Sequence, residues 1–135
     1  MTFRFQGFPV YTDIRKFISD IYRFTSKFPQ EERYGLASQI RNAAISISLN
    51  LAEGSDRGSD REFNRFVRIS IGSVNEVVAA LDIAYDNKYI QISERDNLIK
   101  QAESIVKQLG GFSRELKKCK SQVKSRQSSV VSCKL

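Results

Sequence analysis

Histidine is absent from the 135 residues, and that gap removes more candidate chemistry than any motif supplies. Without an imidazole there is no Ser-His-Asp or Cys-His site and no histidine-bearing zinc site. The Glu-x-x-His ligands of di-iron four-helix bundles are missing too. A helical ribonuclease that depends on a catalytic histidine is excluded for the same reason. Cysteine is scarce. Cys119 and Cys133 both lie near the C-terminus and read as free, reduced thiols of a cytosolic chain. No apolar run approaches the roughly 18 residues of a membrane span. The N-terminal "MTFRFQGFPVYTD" lacks the apolar region and cleavage site of an export signal. A cytoplasmic location without a membrane partner is expected, with no cofactor and no metal.

What is present is an ordinary globular composition, 41% hydrophobic and 27% charged, of a size that suits one domain. The formal net charge of +7 is unevenly placed. Residues 1–112 hold 15 Lys/Arg against 14 Asp/Glu, whereas 113–135 hold seven Lys/Arg against Glu115 alone. The division expected is a bundle over 1–118 and a basic, Ser/Lys-rich flexible tail over 119–135. Lys117, Lys118, Lys120, Lys124 and Arg126 are candidate phosphate contacts. A merely solvated tail is the competing reading.

Four stretches carry helical periodicity and none alternates as a strand does. The first runs from about Pro9 to Ser26, with Ile14, Phe17, Ile21 and Phe24 at steps of three and four. The second opens at "FPQEERYGL", where Pro29 suits a first helical position and Glu31 and Glu32 suit the positive end of the helix dipole. Its stripe is Leu36, Ile40, Ala43, Ala44, Ile47 and Leu51. The third follows Gly58, from Phe63 through Val67, Val74 and Val77 to Leu81, and ends near "YDNKYI". The fourth starts around Ser93 and keeps its phase from Leu98 to Leu116, through Gly110 and Gly111. The expected fold is all-α: an antiparallel, up-down-up-down, left-handed four-helix bundle.

The densest polar cluster, "NLAEGSDRGSDREF" from Asn50 to Phe63, is a corner between helices. Gly54 is expected as a left-handed cap, and Ser59 with Glu62 forms a capping box. No strand precedes the cluster and no Gly-Lys-Ser/Thr ends it, against a phosphate loop. Its acids miss the calcium-loop positions. Arg57 leads into Arg61, Arg65 and Arg68, which share the side of the third helix away from its core, continuing through Gly72 to Glu76. Such a line suits a polynucleotide backbone. Local pairing with Asp60, Glu62 or Glu76 is the alternative. The second helix has a further apolar line, Tyr34, Ile45, Leu49 and Ala52, which with Ile69 and Ile71 fits a contact between subunits. Asn42, Ser46, Asn50 and Glu53 form a polar stripe suited to fixing register across such a contact.

These residues resemble a known family. "VYTDI", "FPQEERYGLASQIRNAAISISLNLAEGSDR", "EFNRFVRISIGSVNEV" and "LDIAYDNKYI" cover most of residues 10–92. They are similar to the four-helix-bundle proteins encoded in intervening sequences of bacterial 23S ribosomal RNA genes, also called S23 ribosomal proteins. The resemblance implies a ring-forming bundle, a homopentamer, with no enzymatic activity. A related bundle, the accessory variability protein of diversity-generating retroelements, pairs with a reverse transcriptase and binds nucleic acid through a basic surface. Asn42 stands where many members carry a second basic residue after "QIR", leaving Arg41 alone there. The function expected is non-enzymatic binding of RNA or DNA backbone by a homo-oligomer. The rival is a scaffold or accessory subunit docking a protein partner, such as a nucleic-acid enzyme.

Overall fold

The computed structural model describes the backbone of residues 3–125 and the side chains as far as Lys118. A 3-10 turn at Arg4–Gly7 leads into helix α1, Pro9–Thr25, with proline in the first turn as expected. Helix α2 spans Leu36–Ser55, α3 Asp60–Asp86 and α4 Ile92–Ser125. Each helix packs on its sequence neighbours, and α4 closes the ring against α1. The pairings fix direction. Ser70 bonds Ile47 and Ser73 bonds Ser46, while Asp13 and Asp20 meet Gln108 and Gln101. Paired positions therefore rise along one helix as they fall along the next.

The buried stripes are those the periodicity marks: Ile14, Phe17 and Ile21; Ile40, Ile47 and Leu51; Val67, Val74 and Leu81; Leu98, Ile105, Leu109 and Leu116. Full burial of one such side chain contributes about 1.5–3 kcal/mol. Phe8, Phe63 and Phe112 close one end, with ring centroids 4.9–6.3 Å apart. Between α2 and α3, small hydroxyls replace bulky side chains. The buried Ser70 donates to the Ile47 carbonyl at 2.9 Å, and Ser73 meets Ser46 at 3.0 Å. Asn50 donates to the Ser46 carbonyl and hydroxyl, both at 2.9 Å. Part of the polar stripe on α2 is thus satisfied within one chain.

Three helix ends differ from the sequence-based expectation. The second helix does not begin at Pro29. That proline (ψ 146) precedes a 3-10 turn at Gln30–Glu32, and α2 starts only after Gly35. Glu32 still serves the helix terminus, accepting the Leu36 N–H at 3.3 Å. Gly54 is not a left-handed cap. It is helical and buried inside α2, which runs on to Ser55, and no glycine among the described residues has positive φ. Its role is steric: a Cβ there would lie 2.6 Å from the Phe66 Cβ and 3.1 Å from Phe63 Cδ1. At α4 the capping position is Gln91 rather than Ser93. Its N–H is accepted by Glu94 at 2.9 Å, one turn into the helix.

Two ends match. Ser59 caps α3 by accepting the Glu62 N–H at 3.2 Å. After α3 the chain turns at Asn87 and Lys88. The Tyr89 N–H bonds the Ala84 carbonyl and the Lys88 N–H bonds the Tyr85 carbonyl, each at 2.9 Å. This is a Schellman turn with lysine at its left-handed position (φ 63), where glycine is usual. Helix α4 continues to Ser125, past the expected boundary at Lys118.

Candidate nucleic-acid interface

The arginines that share one side of α3 do not share one environment. Arg57 and Arg65 both lie over the Phe66 ring, each 4.7 Å from its centroid. Each also holds a carboxylate, Arg57 that of Glu53 and Arg65 that of Glu62 at 3.3 Å. The Glu62 carboxylate is drawn to Arg65, so only the serine half of the capping box forms. Stacking on an aromatic face adds about 0.5–1 kcal/mol at an exposed site. Arg57 therefore fastens the α2–α3 corner across Phe66, Arg65 braces the same ring from within α3, and Gly54 makes room for it. Arg61 and Arg68 are exposed and hold no ion pair among the described residues. Glu76, the expected local partner of the line, is likewise exposed and unpaired among them.

Helix α4 extends this basic surface. Asn64 and Ser113 bond across α3 and α4 at 2.6 Å, and Asp82 and Arg95 do so at 2.5 Å nearer the other end. In that register Arg61 lies level with the turn holding Lys117, and Arg68 with Gly110. Lys117 is exposed, and Lys118 is exposed but pairs with Glu115 at 3.5 Å. The side chains of Lys120 and Lys124, all of Arg126, and both cysteines' side chains lie outside the described residues. Two basic residues escaped the sequence reading: Arg114 and Lys107, both exposed on α4. The available signal was Lys107, Gly110, Gly111 and Arg114 within two turns. Arg41, left alone on α2, proves structural. It donates to the Thr25 hydroxyl at 2.7 Å and the Tyr22 carbonyl at 3.3 Å, closing the C-terminus of α1.

The apolar line on α2 is partly open. Tyr34 is 88% and Leu49 62% exposed, Ile69 on α3 is 40% exposed, and Ile45 and Ala52 are half-buried. Ile71 departs from the expected contact, because it packs against this chain's own core. Glu53 is exposed and Asn50 half-buried. Three other side chains have displaced acid–base behaviour. Burial pushes the Asp20 carboxyl up, but hydrogen bonds from Gln101 and Lys16 and the charges of Lys16 and Arg23 outweigh it, leaving it below the usual value. The Tyr89 hydroxyl donates to Glu32 at 3.0 Å, which raises it. Arg95 is raised further by its bonds to Asp82. No helix among the described residues is long and apolar enough to cross a membrane.

Four antiparallel helices, with four exposed arginines from the α2–α3 corner along α3 of which two are ion-paired, define a helical-bundle protein. The profile of the 23S rRNA-intervening sequence protein family matches residues 6–111, and the chain belongs to that family. A crystal structure from Bacteroides thetaiotaomicron, described as a protein of unknown function from the S23 ribosomal protein family, shares the fold. The TM-score is 0.69 at 20% identity, covering 77% of this chain and 97% of that one. No curated protein matches the sequence.

Proposed function

We propose that the chain is a non-enzymatic, cytoplasmic, homo-oligomeric bundle that binds RNA or DNA backbone with little sequence preference. The observation that carries this reading is the contrast within the arginine line. All four are exposed, but Arg57 and Arg65 are engaged by carboxylates and Phe66, whereas Arg61 and Arg68 hold no carboxylate among the described residues. Seven residues of helix separate the latter two by about 10.5 Å along the axis, all on one side. Guanidinium groups so placed suit repeated phosphates and carry no means of reading bases. Among the described residues of this surface the acids Glu53 and Glu62 pair only with arginine, a poor general acid or base, which argues against chemistry there.

Fluorescence anisotropy with labelled polynucleotide across a salt series tests the reading. Affinity should fall with salt, with a log–log slope of about −0.7 to −0.9 per phosphate neutralised. Arg61→Gln with Arg68→Gln should weaken binding about tenfold or more, while Arg57→Gln acts mainly on stability. A flat salt response, or no binding at low salt, refutes the reading. The exposure of Tyr34 and Leu49 favours self-association, in a ring of five on the family pattern, and equally suits a docked protein partner.

A further inference from the structure

We infer that the trough between α3 and α4 takes a single-stranded polynucleotide, its phosphates on the basic half and its unpaired bases on the apolar half. This rests on the backbone-binding reading above and adds the strandedness of the ligand. The trough is an open groove of about 600 Å³, within the range of sites that hold small organic groups. Val78, Ala79, Ile99 and Val106 form its apolar wall, over the buried Val74 and Ala102. Ala79 is exposed, and Val78, Ile99 and Val106 are only half-buried. In the α3–α4 register, Lys107 stands at one end of this apolar stretch. The basic stretch of Arg61, Arg68, Arg114 and Lys117 continues directly from there. Asp82, bound to Arg95, marks the opposite end, and Glu103 stands on the α4 rim one turn from Lys107. Beyond the groove, positive charge predominates toward the α2–α3 corner.

That arrangement separates two kinds of ligand. A duplex presents phosphates outward and keeps its bases paired, so it gains only from the basic half. A single strand has flat apolar surfaces to place against valine and isoleucine. Asn75 and Glu103 at the rim offer hydrogen-bond partners to base edges. Single-strand sites commonly combine a basic groove with aromatic platforms. Here the platform is aliphatic, which makes the contact weaker and tolerant of sequence.

Gly110 and Gly111 give independent support. Two glycines inside a helix cost about 1 kcal/mol each relative to alanine, so their presence needs a reason. No other helix supplies one: a Cβ at either position would meet only Arg114, at 3.6 and 3.9 Å from its guanidinium nitrogens. The guanidinium lies across the glycine pair, low against the helix, at the level of Arg68. With no Cβ beneath it, that guanidinium rests close to the helix and sets a positive charge low against its surface.

The test compares a labelled thymidine oligomer of about twelve nucleotides with its duplex at low salt. The single strand should bind about tenfold tighter than the duplex. Ala79→Glu, an exposed change to a good helix former, should collapse that ratio toward one. Gly110→Ala with Gly111→Ala should raise the melting temperature yet weaken single-strand binding. Equal affinity for the two polymers overturns the inference. So does unchanged single-strand affinity in the Ala79 and glycine variants, if Arg61→Gln with Arg68→Gln still weakens binding; the groove is then free for a protein partner. If neither polymer binds at low salt, the backbone-binding reading fails and the inference falls with it.

Discussion

Two glycine-to-alanine changes on adjacent helices should have opposite signs. Alanine is the better helix former, by about 0.8–1 kcal/mol at an interior position. At Gly72, on α3, a Cβ would meet nothing within 4 Å, so Gly72→Ala should stabilise by about that amount. At Gly54, on α2, the same atom would sit 2.6 Å from the Phe66 Cβ and 3.1 Å from Phe63 Cδ1. The Phe66 Cβ is fixed to the α3 backbone and cannot swing aside, so the helices must separate locally. Overpacking of this kind typically costs about 1–3 kcal/mol. Set against the propensity gain, Gly54→Ala should destabilise by about 1–2 kcal/mol, with loosened stacking of Arg57 and Arg65 on Phe66 adding to it. For a chain of this size that is a fall of roughly 3–10 °C in melting temperature. Urea denaturation and thermal melts of both variants measure the difference. If Gly54→Ala melts at or above the parent, as Gly72→Ala should, then Gly54 is not held by close packing and the reasoning is wrong.

Lys88→Gly should stabilise by about 0.5–1 kcal/mol. The left-handed position of the Schellman turn costs a side chain roughly 1–2 kcal/mol, part of which glycine returns through its freer unfolded state; a denaturation midpoint at or below the parent's refutes it. Asp20 has a folded value below its unfolded one, so its contribution is present above the unfolded value near 3.9 and is lost as pH falls through the folded value. Asp20→Asn should therefore cost about 1 kcal/mol at pH 7, and the gap should close below pH 4. Urea midpoints across that range check it, and a gap independent of pH refutes it. Leu49→Glu should break a homo-oligomer into smaller species by light scattering, and a monomeric parent refutes self-association.

The bundle was legible because its signal is local and repetitive. Steps of three and four marked every buried stripe, and Ser59 announced its helix. Misreadings arose where the outcome depends on atoms distant in sequence. Gly54 looks like a helix terminator when only its neighbours in the chain are considered. Its reason is Phe66, twelve residues on and on another helix. The start of α2 failed through a local competition. Pro29 can open a helix, but Gly35 interrupts the one it would open, and Glu32 caps the helix that follows. Ile71 was assigned outward because single-helix geometry does not show how far α4 wraps around α3.

The site was legible in composition and not in allocation. Arg57, Arg61, Arg65 and Arg68 are alike in sequence, and a helical projection gives the last three equal standing. Their difference is made by two glutamates and one ring. Glu53 and Glu62 each stand one turn from an arginine, and Phe66 lies within reach of both. That arrangement engages one arginine across α2 and α3 and a second within α3, and leaves two without a carboxylate among the described residues. A net-charge count therefore overstates the corner's pull on a polyanion. What remains is directional: in the α3–α4 register Arg61 and Arg68 lie level with the stretch of α4 from Gly110 to Lys117, beyond the end of the groove that Lys107 lines. Two helices contributing to one groove can track a strand along its length, which an isolated line on a single helix cannot. The corner is accordingly a joint and, in the proposed function, one end of a strand-binding surface, and substitutions at Arg57 and Arg61 should separate the two roles.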